Sequence, residues 1–247
     1  MEVESNSRLI YHRVLLKLSG ESLNGEQPSC FSMKAVSLLA DEIKKLNQKK
    51  VQIAVVIGGG NIWRGRDASD NNISPIKADM IGMTATMLNA MVFQAVLEKT
   101  GLNVKIMSPL PLLPLIEPHY GKNAICYLEE GFIVLFAGGT GCPTFSTDTA
   151  SALRAVEIGA DIILKATTVD YVYNDDPRKN QDAVLYKTIS YDKILQQKLR
   201  IIDETAAIIC RNHKMPMKIF SIKDPKNLSK AISSEFSIGT MITTEEK

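Results

Sequence analysis

The chain has 247 residues, 45% of them hydrophobic and 23% charged, the balance of a globular protein with room for one large α/β domain or two small lobes. Its 29 basic and 27 acidic residues leave a formal charge of +2, which supplies no basic excess for a nucleic-acid partner. No apolar run reaches the roughly 18 residues of a spanning helix, and the polar opening MEVESNSRLIYHR lacks the apolar centre of a secretory signal, so the expectation is a cytoplasmic protein with no membrane partner.

Residues 1–12 read as a flexible N-terminal tail. Arg13–Leu18 (RVLLKL) is a short apolar run with the character of a buried strand, closed by a turn at Ser19-Gly20. Val36, Leu39, Ala40, Ile43 and Leu46 recur at helical spacing over Met33–Asn47, with Ser32 as the cap. Val51–Ile57 predicts a second buried strand, stopped by Gly58-Gly59-Gly60. Ile76–Thr100 predicts a long helix in which Met80, Met83, Met87 and Met91 suit core packing or a subunit contact. Val104–Met107 is strand-like. Four prolines between 109 and 118 predict an irregular loop.

Ala124–Glu130 predicts a helix and Phe132–Ala137 a buried strand that runs into Gly138-Gly139-Thr140-Gly141. Asp148–Ile158 predicts a helix and Asp161–Ala166 a strand carrying Lys165 near its end. The polar stretch 170–188 has hairpin character and could open a second lobe. Helices over Tyr191–Lys198, Asp203–Asn212 and 225–233, with strands at Met217–Ser221 and Ile238–Thr243, complete the pattern. Apolar strands alternating with helices imply a mainly parallel sheet covered on both faces.

Ligands of such sheets gather outside the carboxyl ends of the strands. Four strand ends here offer Lys17, Lys165 and three glycine-bearing turns, where backbone N–H groups can approach an anion closely. A lysine within a buried strand is costly unless paired or functional. This is equipment for a polyphosphate, although GxxxxGK[ST] and an intact GxGxxG are both missing. The histidines His12, His119 and His213 are isolated, and Cys30, Cys126, Cys142 and Cys210 show no CxxC spacing. They read as reduced thiols, and no protein-held metal is expected.

Six blocks, in order, carry a resemblance. They are Lys17–Glu21, Gly58–Gly65, Asp79–Asn89, Gly139–Pro143 with Ser146-Thr147-Asp148, Lys165–Thr167 with Val169-Asp170, and Asp175-Asp176-Pro177. From about residue 13 to 243 the chain resembles the bacterial uridylate kinases. The resemblance implies an amino-acid-kinase-like domain over 13–247, a three-layer αβα sandwich with a mainly parallel central sheet. Acceptor binding falls in about 13–160 and ATP binding in about 161–243. It implies ATP with Mg²⁺ as donor, UMP as acceptor, a step of pyrimidine nucleotide biosynthesis, a homohexamer, feedback inhibition by UTP and activation by GTP.

Carried over by motif, Lys17, Lys165 and Asp148 are the catalytic group. Lys17, Leu18, Ser19, Gly20, Gly60, Arg64, Thr167, Tyr173 and Asp176 serve ATP. Gly59, Asp79, Thr140, Gly141, Cys142, Pro143, Thr144, Phe145, Ser146 and Thr147 serve UMP. Three positions depart from the pattern: Cys142 stands for a usual Asn, Thr144 for a usual Phe and Tyr171 for a usual Gly. Two other readings stay open. One is a sibling kinase acting on carbamate or an amino-acid carboxylate, some of which place the second lysine where this chain has Asp203. The other is a nucleotide-sensing member of the fold without turnover.

Overall fold

The computed structural model describes residues 9–24, 30–64, 72–110, 112–175, 180, 182–233 and 238–245. The elements run β1 (Arg13–Leu18), α1 (Met33–Gln48), β2 (Gln52–Ile57), α2 (Pro75–Lys99), β3 (Val104–Ser108), β4 (Glu117–Pro118), α3 (Gly121–Glu129) and β5 (Ile133–Phe136). They continue with α4 (Thr147–Glu157), β6 (Ile162–Thr167), β7 (Val172–Tyr173), β8 (Leu185–Tyr186), β9 (Thr188–Ser190) and α5 (Tyr191–Gln196). The last four are α6 (Glu204–Asn212), β10 (Met217–Ser221), α7 (Asn227–Ala231) and β11 (Thr240–Thr243).

Nine strands form one sheet in the order β4-β3-β5-β2-β1-β6-β10-β11-β9. Every neighbouring pair is parallel except β10–β11. Because successive side chains of a strand point to opposite faces, the apolar runs split into two cores. Val14, Leu16 and Leu18 of β1 pack with α1, α2 and α7 on one face. Leu15 of β1 and Ile163 of β6 pack with α3, α4, α5 and α6 on the other. The result is the three-layer αβα arrangement that the alternation of elements implied.

Helix entries are fixed locally. Ser32, Ser74, Ser146, Ser190 and Asp203 each accept a hydrogen bond from a backbone N–H of the helix that follows, satisfying donors that a helix start leaves open. Helix α2 is long and apolar enough to cross a membrane by length and composition, but half of its most apolar window is buried inside the fold. Ala78, Met83, Met87, Ala90 and Phe93 face inward, while Ile76, Ile81 and Leu88 stay exposed.

Residues 9–12, expected in the loose tail, are instead pinned. Leu9 bridges to Ser233, Ile10 N–H donates to the Ile232 carbonyl at 3.2 Å, and His12 N–H donates to Asp161 Oδ2 at 2.7 Å. Backbone groups at the start of β1 thereby gain partners that a free tail would leave to water. The hairpin expected over 170–188 is the β7–β8 pair. It is bound to the main sheet through buried Thr240, whose Oγ1 accepts from Val172 N–H at 2.9 Å and donates to the Tyr186 carbonyl at 2.5 Å. The proline-rich stretch is irregular as expected, apart from the short strand β4 at its end.

Candidate active site

Strand register builds the centre of the site. Lys17 of β1 and Lys165 of β6 are direct partners in the parallel pairing. They share parity with Leu15 and Ile163, so both side chains emerge on the α4 face. There they meet Asp148, in the first turn of α4. Lys165 Nζ lies 2.5 Å from Asp148 Oδ2, and Lys17 Nζ lies 3.2 Å from Oδ1. All three side chains are at most 15% exposed.

Burial opposes the charge on Asp148, but the two ammonium groups overcome it and hold its carboxyl below the usual carboxylate range. Burial pushes the Lys165 ammonium down; Asp148 works against that shift and the neighbouring Lys17 charge adds to it. The cluster therefore holds two cations and one anion, a net positive charge in a partly dehydrated setting, where charge acts most strongly. Asp148 does not cap its helix. Ser146 does, accepting from Asp148 N–H at 2.9 Å and from Thr149 N–H at 3.3 Å, which leaves the Asp148 carboxylate free for the lysines.

A segment that sequence reasoning missed closes the cluster from the other side. The Ile201 carbonyl accepts from Lys165 Nζ at 2.5 Å. Asp203 accepts from Ser146 Oγ at 2.5 Å and from Thr149 Oγ1 at 2.9 Å, and it also caps α6 through Ala206 N–H at 2.8 Å. A cavity of about 490 Å³ lies against this segment, walled by Lys165, Asp148, Ile194, Leu199, Ile202 and Asp203 among others. The only sequence signal was the placing of Asp203 where some sibling kinases carry a lysine.

A second cavity of about 380 Å³ lies beyond the N-terminus of α4, lined by Gly59, Gly60, Arg64, Asp79, Cys142, Phe145, Ser146 and Thr147 among others. Cap and first turn of α4 thus supply walls to both cavities, Ser146 and Thr147 to one and Asp148 to the other. Asp79 sits in the second turn of α2, whose cap is Ser74. Its Oδ2 accepts from Thr144 N–H at 2.7 Å, which fastens the 140–147 loop to the helix. Thr144 is held at φ +75°, and Thr140 Oγ1 accepts from Cys142 N–H at 3.1 Å and donates to the Cys142 carbonyl at 2.9 Å. At Gly141, with φ +81°, an added Cβ would fall 2.8 Å from Pro109 Cβ, so the close approach of the two loops requires glycine.

The structure brings Gly59, Asp79, Cys142, Phe145, Ser146 and Thr147 to this cavity, with Thr140, Gly141, Pro143 and Thr144 forming the loop that frames it. Arg64 donates through Nε to the Gly60 carbonyl at 3.0 Å and through Nη2 to Glu21. In the turn after Lys17, Ser19 Oγ meets Ser22 Oγ at 2.9 Å. Leu18 needs a correction: its side chain is fully buried on the α1 face and its carbonyl is taken by Gly58 N–H at 2.9 Å, because parity turns it away from Lys17. Thr167 follows Lys165 on the same sheet face, with Oγ1 accepting from Val169 N–H at 2.9 Å. Tyr173 is half-buried in β7, and Tyr171 half-buried just before it. Asp176 lies outside the described residues.

The profile of the amino acid kinase family matches residues 12–221. The chain belongs to that family. Within it the chain is 41% identical over 239 residues to the uridylate kinase of Legionella pneumophila strain Corby, covering 97% of each chain. It is 44% identical over 220 residues to the uridylate kinase of a Wolbachia from Brugia malayi, covering 89% of each. Its fold superposes on the UMP kinase of Bacillus anthracis with a TM-score of 0.92 at 34% identity, covering 96% of this chain and 97% of the other. For this family member, the strand-end lysines, the glycine turns and the 140–147 loop all lie at or just after the carboxyl ends of the parallel strands β1, β2, β5 and β6.

Proposed function

We propose that this kinase transfers the γ-phosphoryl group of ATP to UMP, giving UDP and ADP. The observation that carries the reading is the buried Lys17–Lys165–Asp148 cluster at the N-terminus of α4, beside the cavity that Gly59, Asp79 and Thr147 help to line. That cavity suits the acceptor and the turn after Lys17 suits the donor, so the two phosphates approach each other across the lysine pair.

An oxygen of the UMP phosphate attacks the γ-phosphorus of ATP, the bond to the β–γ bridging oxygen breaks, and ADP leaves with that electron pair. The attacking phosphate is already anionic near neutral pH, so the step needs alignment and charge neutralisation rather than a general base. Lys17 and Lys165 neutralise charge on the transferring group and the leaving oxygen. Asp148 holds the two ammonium groups at fixed positions and keeps them from repelling each other apart. Gly59, Asp79 and the 140–147 loop serve UMP, Asp79 at the ribose, while Gly60 and Arg64 reach the ATP phosphates and Arg64 also bridges both phosphate chains. Ser19, Gly20, Thr167, Tyr173 and Asp176 serve ATP.

The residues around the lysines fit magnesium only as a phosphate chelate. The carboxylates nearest them are already engaged, Asp148 by both lysines and Asp203 by Ser146, Thr149 and the Ala206 N–H, and no group of three or more His, Cys, Asp or Glu among the described residues could hold an ion. Bound with ATP, Mg²⁺ supplies charge neutralisation on the phosphate oxygens. The exposed Ile76, Ile81 and Leu88 of α2 support the homohexamer that the resemblance implies, as apolar area awaiting a subunit contact. Inhibition by UTP, activation by GTP and a cytoplasmic setting complete the reading.

The test is coupled ADP release with UMP, CMP, carbamate and acetylglutamate as acceptors, with and without UTP and GTP. Turnover with UMP far above the other three is expected. Turnover confined to carbamate or acetylglutamate would assign a sibling activity, and none with any acceptor a sensing role.

A further inference from the structure

Behind the Gly58–Gly60 turn lies a buried polar pair that no step of the reaction uses. Asn89 of α2 is completely buried. Its Nδ2 donates to Asn61 Oδ1 at 2.7 Å, and Asn61 Nδ2 donates back to Asn89 Oδ1 at 2.9 Å. The pair does not close on itself. Asn89 Nδ2 also donates to the Gly58 carbonyl at 2.7 Å, and Asn61 Nδ2 to the Cys30 carbonyl at 2.9 Å. Since carbonyls only accept, these two outer bonds fix which end of each amide is nitrogen.

The pair sits where the two phosphate-facing turns touch. A Cβ added at Gly20 would fall 2.3 Å from Asn61 Oδ1 and 2.8 Å from both the Gly58 carbonyl and the Gly60 nitrogen. The turn that follows Lys17 is therefore packed directly on the turn that lines the acceptor cavity. One helical turn away, buried Thr86 accepts from Gly138 N–H at 2.7 Å. Helix α2 thus reaches two strand-end turns from its inner face, through residues three apart.

We propose that the Asn61–Asn89 amide pair is a positioning device. It sets the separation between the Lys17–Gly20 turn and the Gly58–Gly60 turn, and with it the alignment of donor and acceptor phosphates. Neither residue lines either cavity. A purely apolar filling would bury the same volume without specifying how the two turns sit, and an unsatisfied amide there would be expensive. The proposal rests on the phosphoryl-transfer reading given above.

Steady-state kinetics of the full chain test it, with Asn61→Ala, Asn89→Ala and the double variant, alongside melting temperatures. Misalignment by about 1 Å costs on the order of 100-fold in rate, so kcat is expected to fall by roughly 10- to 100-fold. KM for UMP and for ATP should each stay within about threefold, because the groups that hold each substrate remain. The double variant should be no slower than the slower single variant, since the two amides act as one unit. If Asn89→Ala does not fold, Asn61→Ala alone decides, as it breaks the pair from its half-buried side. A folded variant within twofold of wild-type kcat, a change confined to KM, or additive losses in the double variant would each overturn the proposal. A wild-type chain that releases no UMP-dependent ADP would instead overturn the reading on which it rests.

Discussion

The lysine cluster and the 140–147 loop are neighbours built on opposite principles. Lys17, Lys165 and Asp148 come from two strands and a helix start, are nearly buried, and are paired before any substrate arrives. The loop is largely exposed at Cys142, Thr144 and Phe145 and depends on positive φ at Gly138, Gly139, Gly141 and Thr144. In the proposed reading, rigid elements hold the charges whose position governs rate, and a loop fastened by Asp79 and Asp203 handles the variable part of the acceptor. Substitutions in the cluster should therefore act on kcat, and substitutions in the loop on acceptor choice.

The largest effect is expected at Lys17. Lys17→Ala removes a preorganised charge worth roughly 2.7–4 kcal/mol, so kcat should fall about 10²- to 10³-fold while KM for UMP changes little. Retention of more than half the wild-type kcat would break the division between the two regions at its strongest point.

A second test uses pH. Burial lowers the Lys165 pKa from its ordinary value of 10.5. The protonated form is the one that neutralises phosphate, so kcat/KM should decline as pH rises through that lowered value, earlier than an unperturbed lysine would allow. Lys165→Arg keeps its charge throughout this range, so whatever activity it retains should lose the alkaline limb. An identical limb in both proteins would assign it to another group.

In the loop region, effects should be smaller and selective. Asp79 spends one oxygen on Thr144 N–H, leaving the other for a ribose hydroxyl. Asp79→Asn turns a charge-assisted bond into a neutral one, so the UMP/dUMP ratio of kcat/KM should shrink by about five- to tenfold. An unchanged ratio would remove Asp79 from ribose recognition. Smallest of all is Cys142→Asn. The thiol is exposed and its backbone makes the loop's hydrogen bonds, so activity should stay within about threefold, the scale of a surface change. Loss of turnover in a folded variant would give the thiol a role.

Much of this division is readable along the chain. Runs such as RVLLKL and DIILKA are continuous because both sheet faces are covered, and a lysine interrupting such a run marks a function or a partner. The glycine turns follow strands for the same reason that ligands do. What stayed hidden is non-local. The Ile201 carbonyl reaches Lys165 across 36 positions, and Asp203 reaches Ser146 across 57; neither leaves a trace in local spacing. Asn61 and Asn89 fall in two of the resemblance blocks, but only the folded chain shows that they face each other. Strands β4 and β9, two and three residues long, are too short for a periodic pattern.

Pairing of Lys17 with Lys165 also governs which insertions and deletions the chain can inherit. Adding or removing one residue within β1, before Lys17, would leave an apolar strand able to pair with β2 and β6. It would also swing that lysine through the sheet into the layer of Leu16 and Leu18, opposite α1. Such a lineage would keep a foldable strand and lose its chemistry in one step, and point substitutions at the displaced position could not restore it. Between Leu112 and Ile116, which lie in no named strand, the same one-residue change moves no lysine through the sheet. A library of single-codon insertions, scored for growth on the enzyme, should show β1 and β6 as blank intervals and that stretch as a populated one.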